Sequence, residues 1–278
     1  MPSQAEKAEK FIELHNREGA FVIPNPWDLG SAQLFAGLGF EALATTSFGL
    51  AISLGRMDSS VSVDEKIAHC RALCEGTSLP ITADLEHCYG DDPATAADTI
   101  RRGGEAGLVG GSIEDFCPDD GGRIYDFNHS VERVQAAVEA SQSLECPFLL
   151  TARAENLIRG VDDLDDTIRR LQAFEAVGAD VVYAPGLKTL DEVKQVTESV
   201  NVPVNVLAPP LRGFTVAEMA ANGARRISIG GALTRAVVST IVAAGREMLD
   251  SGTFEWSTDM IPAGELSDLF ARANQDSS

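Results

Sequence analysis

Short apolar runs alternate with longer amphipathic stretches along almost the whole chain, and this alternation constrains the fold more than any other feature. Eight runs read as strands: Phe21–Pro24, Ala42–Thr46, Ile81–Leu85, Leu108–Glu114, Phe148–Ala152, Val181–Ala184, Val204–Leu207 and Arg226–Ile229. Helix signals lie between them. Ser31–Gly39 stops at a glycine, Asp92-Pro93 opens a helix with a cap and an N1 proline, and "SVERVQAAVEASQSL", "LDDTIRRLQAFEAVGAD" and "TVAEMAANGA" carry apolar residues at 3.6-residue spacing. Strand–helix alternation of this kind demands a parallel sheet with helical crossovers. Eight units in 278 residues, with no linker-like stretch, predict one (β/α)8 barrel domain over residues 1–278. An open Rossmann-like sheet is the alternative. No GxGxxG follows the first strand, which counts against it.

A helix over Ala232–Leu249 follows the eighth strand, and residues 250–278 then form a C-terminal arm holding Phe254, Trp256, Met260, Ile261, Leu266, Leu269 and Phe270. A completed barrel has little core left to receive them. The arm either closes the barrel bottom or packs on a neighbouring subunit.

Bulk properties exclude several functions. With 42 acidic against 22 basic residues the formal net charge is -20, and no basic patch is visible, so nucleic acid is a poor partner. The acidity serves solubility, or, with only five lysines, adaptation to high salt. No apolar run is long enough for a membrane span. The start "MPSQAEKAEKFIELH" reads as a polar entry into an amphipathic helix, without the apolar region of a signal peptide. Five cysteines, none in a CxxC pair, fit a reducing cytoplasm better than a disulfide framework or structural zinc.

Charge gathers at strand ends. "ITADLE" ends in Asp84 and Glu86, "GGSIED" in Glu114 and Asp115, and "FLLTARAE" in Arg153 and Glu155. Active sites of (β/α)8 enzymes lie at that end of the barrel. Asp84 and Glu86 are two apart and would point the same way on a regular strand. With Glu114 they suit a hard divalent cation such as Mg²⁺, or Mn²⁺, with one direct carboxylate and others held through water. Arg153 is placed to grip a substrate carboxylate bidentately, or to pair with Glu155 or Glu114.

The stretch Thr45–Asp58 follows the second strand, and its hydroxyl residues and Gly49 let backbone N–H groups approach an anion. Asp28 reads as a helix cap, and "RISIGGA" as a glycine turn of the phosphate-binding kind. Cys88 and Cys117 are thiol acids or merely buried. His15 and His69 read as structural, and His87 adjoins Glu86.

Taken together, "ADLEHCYGDDP", "GGSIED", "TARAEN", "TTSFGLAISLGRMD" and "RRISIGG" resemble the isocitrate lyase/phosphoenolpyruvate mutase superfamily, in order, from about Phe21 to Arg235. The resemblance implies a barrel whose last helix is exchanged between subunits of a homo-oligomer, a dimer or a tetramer. It implies Mg²⁺-dependent making or breaking of C–C or P–C bonds beside a carboxylate, through an enolate. By resemblance Asp84 is the direct metal ligand, Asp58, Glu86 and Glu114 hold metal waters, Arg153 binds substrate, and Thr46, Ser47 and Gly49 cradle its carboxylate. Asn205 is a polar pocket group, and Arg153, Asp84 and Glu114 carry the catalysis.

The departures narrow the activity. The segment after Asp115 lacks the KKCGH or KRCGH loop of isocitrate and methylisocitrate lyases. Phe116 stands where phosphonomutases have Lys, and "CYG" replaces "GYG". The expected function is a Mg²⁺-dependent lyase or decarboxylase of a small 2-oxo or 2-hydroxy dicarboxylate. Alternatives are phosphoenolpyruvate mutase-type chemistry, or a barrel that binds a 2-oxo acid without turnover.

Overall fold

The computed structural model describes residues 1–275. Eight parallel strands form one sheet: β1 (Phe21–Ile23), β2 (Leu43–Ala44), β3 (Ile81–Asp84), β4 (Gly110–Glu114), β7 (Leu149–Arg153), β8 (Val181–Tyr183), β9 (Val204–Leu207) and β10 (Ala224–Ser228). Their order is β1-β10-β9-β8-β7-β4-β3-β2, so first and last strands in space are also the first two in sequence. That order curls into a barrel. The seam between β1 and β2 is bridged where the Ala44 N–H donates to the Pro24 carbonyl at 3.0 Å. Asn25 staples the same seam: its Nδ2 donates to the Thr45 carbonyl, and its Oδ1 accepts the N–H groups of Ile229 and Gly230. The fold is the expected (β/α)8 barrel, and the open Rossmann alternative falls with the strand order.

Helix α1 (Gln4–Asn16) precedes the barrel. Then come α2 (Leu29–Leu38), α3 (Ser47–Ser53), α4 (Val63–Gly76), α5 (Pro93–Glu105), α6 (Phe127–Gln142), α7 (Leu164–Ala176), α8 (Leu190–Glu198), α9 (Val216–Ala221), α10 (Ala232–Asp250) and α11 (Ala263–Gln275). Their starts follow local sequence. Ser3, Asp28, Ser62, Thr189 and Thr215 each cap a helix with a reciprocal side-chain bond from the third helical residue, and Asp28 does what its position suggested. The helices bury one stripe each. On α7 this is Thr167, Arg170, Leu171 and Phe174, where burying Leu171 or Phe174 contributes roughly 1.5–3 kcal/mol apiece. At the foot of the barrel Phe11 and Leu14 of α1 pack with Phe21, Ile23 and Leu149.

Helices α4 and α8 are absent from the sequence expectation, and so are the two elements that bear on the site. The Thr45–Asp58 stretch, read as a loop, contains α3, with Thr46 as its cap. A two-stranded hairpin, β5 (Phe116–Cys117) with β6 (Arg123–Ile124), follows β4.

Helix α11 of the C-terminal arm lies on α2 of the same chain, burying Leu269 and Ala273. Gly37 permits this, because a Cβ there would stand 2.1 Å from the Leu269 carbonyl oxygen. The last three residues of the arm expected over 250–278 lie outside the described residues. Helix α10 buries only Thr234 and Ala244, and leaves Val237, Ile241, Val242 and Leu249 exposed. Among the described residues no helix is long and apolar enough to cross a membrane.

Candidate active site

Asp84 ends β3 at the C-terminal mouth of the barrel and is the hub of the charged cluster. Ser47 donates to its Oδ2 from both its N–H (3.3 Å) and its hydroxyl (3.0 Å). Arg153 Nη1 donates to its Oδ1 at 2.9 Å. The Asp84 N–H donates to Thr45 Oγ1, which also accepts from Lys66 Nζ at 3.2 Å. Burial opposes the Asp84 charge, but Arg153, Lys66 and Ser47 outweigh it and hold the carboxyl below its usual pKa.

Arg153, at the end of β7, serves three carboxylates. Besides Asp84 it reaches Glu114 Oε2 at 3.2 Å and Glu155 Oε1 at 2.7 Å, with its Nε also donating to Glu155. Burial works against its charge, and Glu155, Glu114 and Asp84 more than offset that. A second guanidinium, Arg159, lies 3.1 Å from Glu155 Oε2 and 3.6 Å from Glu114 Oε1. It rests over the Phe116 ring, 3.6 Å from the centroid.

The remaining acids are crowded. Burial and then Asp84 push Glu86 up to about 7, while Tyr89 donates to its Oε1 at 3.1 Å. Burial and then Glu155 hold Glu114 well above the usual carboxylate range. Glu86 does not sit where strand parity would put it. β3 stops at Asp84, and Glu86 has φ +52°, followed by Cys88 at +59° and Tyr89 at +60°. Three non-glycine residues in the left-handed region within four positions mark a strained turn that swings Glu86 toward the cavity.

A cavity of about 670 Å³ opens here. It is lined by Thr45, Thr46, Ser47, Asp58, Asp84, Glu86, Glu114, Arg153 and Asn205, among others. These include every site residue expected from sequence except Gly49. Gly49 is a packing glycine: a Cβ there would lie 2.6 Å from Trp27 Cβ, and its N–H caps back to Thr46 Oγ1. Cys88, Cys117 and His87 are buried outside the cavity lining, and burial pushes the Cys88 thiol up to about 12. Asp115 is also turned away; it positions Glu155 by accepting its N–H and pairs with Arg170 at 3.0 Å. Sequence reasoning missed Lys66, Arg159, Tyr89 and Tyr183. Lys66 and Arg159 look like ordinary charged positions of an amphipathic pattern and a loop, and only tertiary packing turns them inward.

The arrangement fits a divalent cation that keeps part of its water shell. The carboxylates of Asp58, Asp84 and Glu86 line the cavity together, and burial, then Asp84, raise the Glu86 pKa to about 7 against the opposing charge of Lys66. Yet among the described residues no three such groups are close enough to clasp an ion directly. One direct carboxylate with others acting through water is how Mg²⁺ is held.

The phosphoenolpyruvate phosphomutase family matches residues 11–249 of this chain. The chain belongs to this family. A solved Burkholderia cenocepacia J2315 protein, described provisionally as a lyase/mutase, is 49% identical with a TM-score of 0.92, over 96% of this chain and 97% of that one. The 2,3-dimethylmalate lyase of Eubacterium barkeri is 25% identical over 88% of this chain and 85% of its own length. The oxaloacetate decarboxylase of Paraburkholderia xenovorans LB400 is 28% identical over 71% and 67% respectively. The family sits within the isocitrate lyase/phosphoenolpyruvate mutase superfamily, whose members here are lyases, decarboxylases and mutases of small carboxylates.

In this family member the segment after β4 is neither long nor loose. The β5–β6 hairpin is tied down where Arg123 pairs with Asp91 at 2.9 Å and Tyr125 Oη donates to Asp91 at 2.5 Å. Phe116, at the hairpin's first residue, carries Arg159 on its ring, so a cation still faces the site although the residue there is apolar.

Proposed function

We propose that this chain is a Mg²⁺-dependent lyase or decarboxylase that cleaves a C–C bond beside a carboxylate in a small 2-oxo or 2-hydroxy dicarboxylate. The observation that carries this reading is the Asp84–Arg153 contact, at 2.9 Å, among four further carboxylates, Asp58, Glu86, Glu114 and Glu155, that line the same cavity. Asp84 is the direct cation ligand, with Asp58, Glu86 and Glu114 acting through water. The cation, when bound, supplies charge that favours an enolate over its ketone. Mn²⁺ serves the same geometry.

The chain's own residues do the rest. Arg153 presents a planar fork to a substrate oxygen, and the three carboxylates it contacts fix that fork before substrate arrives, so little reorganisation is needed as charge develops. Thr46 and Ser47 form the wall at the start of α3. Arg159 offers a second positive group from the Phe116 side.

The chain is read as a homo-oligomer, because the exposed apolar face of α10 exceeds what a lone domain usually leaves uncovered. All five cysteines are free, in keeping with a reducing compartment such as the cytoplasm.

The test is proton NMR of the protein with Mg²⁺ and a panel of oxaloacetate, isocitrate, methylisocitrate, substituted malates and phosphonopyruvate. Pyruvate, glyoxylate or another fragment should appear, and be lost with EDTA and in Asp84→Ala. Full metal-dependent turnover by Asp84→Ala would overturn the reading. Turnover of phosphonopyruvate alone would move the chain to P–C chemistry, and binding without any product would make it a 2-oxo acid binding protein.

A further inference from the structure

Below Asp84 and Arg153 the barrel interior is polar and partly hollow. Interior layers of such barrels are ordinarily filled by branched apolar side chains. Here β3, β4 and β7 contribute Thr82, Ser112 and Thr151, and β10 contributes Arg226. Ile23 and Ala44 line the same cavity.

Arg226 is 5% exposed, and its surroundings are neutral. Nε donates to Asn205 Oδ1 at 2.8 Å, and Nη2 donates to Thr151 Oγ1 at 3.0 Å. Nη1 lies 3.4 Å from His15 Nε2. The His15 Nδ1 sits 2.7 Å from the Phe11 carbonyl oxygen, which can only accept. The ring proton is therefore on Nδ1, and Nε2 offers a lone pair to Arg226. His15 stays neutral, since burial and then Arg226 itself lower its pKa to about 3. Three of the five guanidinium N–H groups are thus spoken for, all by uncharged partners.

Among the described residues no carboxylate forms an ion pair with Arg226, whereas Arg153 and Arg170 each have two or more. Arg133 is buried without a carboxylate too, but it is satisfied by the carbonyls of His87, Gly90 and Asp91 and does not line the cavity. Arg226 differs in facing open volume. Burial lowers its pKa only to about 10, so it is cationic at neutral pH. A buried, unpaired charge is costly unless something pairs with it.

We propose that Arg226, oriented by Thr151 and Asn205, forms a second anion subsite on the floor of the cavity that takes a small monovalent anion of carboxylate or halide size. The anion has two sources. One is the far carboxylate of the dicarboxylate named above, and this source rests on that reading. The other is free halide, which does not.

The test begins on the wild-type chain in EDTA, so that the cation site is not involved. Crystals soaked in sodium bromide should show anomalous density beside Arg226. Melting temperature should rise saturably with bromide or formate, but not with gluconate at equal ionic strength. Arg226→Gln should abolish that rise, and Thr151→Val, which keeps the charge, should weaken it. Absence of both the density and the anion-specific rise overturns the subsite, whether or not the enzyme turns anything over. If the variant fails to fold, the wild-type density still decides.

Turnover then separates the sources. If the substrate's carboxylate is the ligand, bromide competes with it and Arg226→Gln raises KM about tenfold or more, beyond any fall in kcat. If halide is the ligand, bromide leaves KM unchanged. A bromide site in a protein that turns over no acid on the panel would overturn the lyase reading and leave the subsite standing.

Discussion

Arg153 holds the charged cluster together because its three nitrogens reach Asp84, Glu114 and Glu155. A point charge could not replace that fork. Arg153→Lys should therefore fold, yet lose about 10²-fold or more in kcat/KM, as is typical of removing one preorganised donor. Steady-state kinetics beside circular dichroism would check this, and near wild-type kcat/KM would show that charge alone suffices. Arg153 was legible in sequence because a cation at the end of an apolar run has few other uses. Lys66 was not. Its helix shows a normal amphipathic pattern, and only the packing of α4 against the strands brings its Nζ to Thr45.

Elements succeed here by close approach. Gly37 is the point where α11 touches α2, with the Leu269 backbone where a side chain would be. Gly37→Val should push α11 off, lowering stability by about 1–3 kcal/mol, or roughly 2–4 °C in Tm for each of those kcal/mol. Limited proteolysis should then cut before Ala263. An unchanged Tm and an uncut arm would show that the contact contributes little. Asn25 works at the seam, where three backbone groups from β1's neighbours converge on one amide. Asn25→Ala leaves two N–H groups unsatisfied and should cost about 1–3 kcal/mol by urea unfolding. No periodicity rule marks either residue, because both act between elements far apart in the chain. The turn after β3 shows the same limit. Parity placed Glu86 beside Asp84 for a reason that fails once the strand ends, and a left-handed backbone brings it to the cavity instead.

At the scale of the whole molecule, protonation and assembly are the levers. His15 is buried and His69 half-buried, and both are neutral, with pKa values lowered to about 3 and about 4 from the ordinary 6.5, burial being the main cause in both. Between those values the unfolded chain binds the extra protons. Each histidine therefore removes stability as pH falls from 6.5, by up to about 1.4 kcal/mol per pH unit. Glu86, titrating near 7, acts in the opposite direction, so the informative quantity is a difference. Wild type should lose more Tm between pH 6.5 and 4 than His15→Gln, with EDTA present throughout; parallel curves would contradict this. The exposed face of α10, with Leu249 88% exposed and Ile241 65%, predicts a particle larger than 29.5 kDa in light scattering, and a monomer would refute the assembly.

The sequence by itself determined the barrel, through eight alternations whose periods of 2 and 3.6 leave little other choice, and it marked Asp84, Glu114 and Arg153 by placing charge at the ends of apolar strands. Those are local signals, written in consecutive residues. Tertiary structure decided what depends on closure: which cations turn inward, that Gly49 packs against Trp27, that α11 returns to α2, and that Arg226 lines the cavity without a carboxylate partner. Closing the barrel brings residues from opposite ends of the chain within bonding distance, and that proximity leaves no trace in the order of neighbours along it.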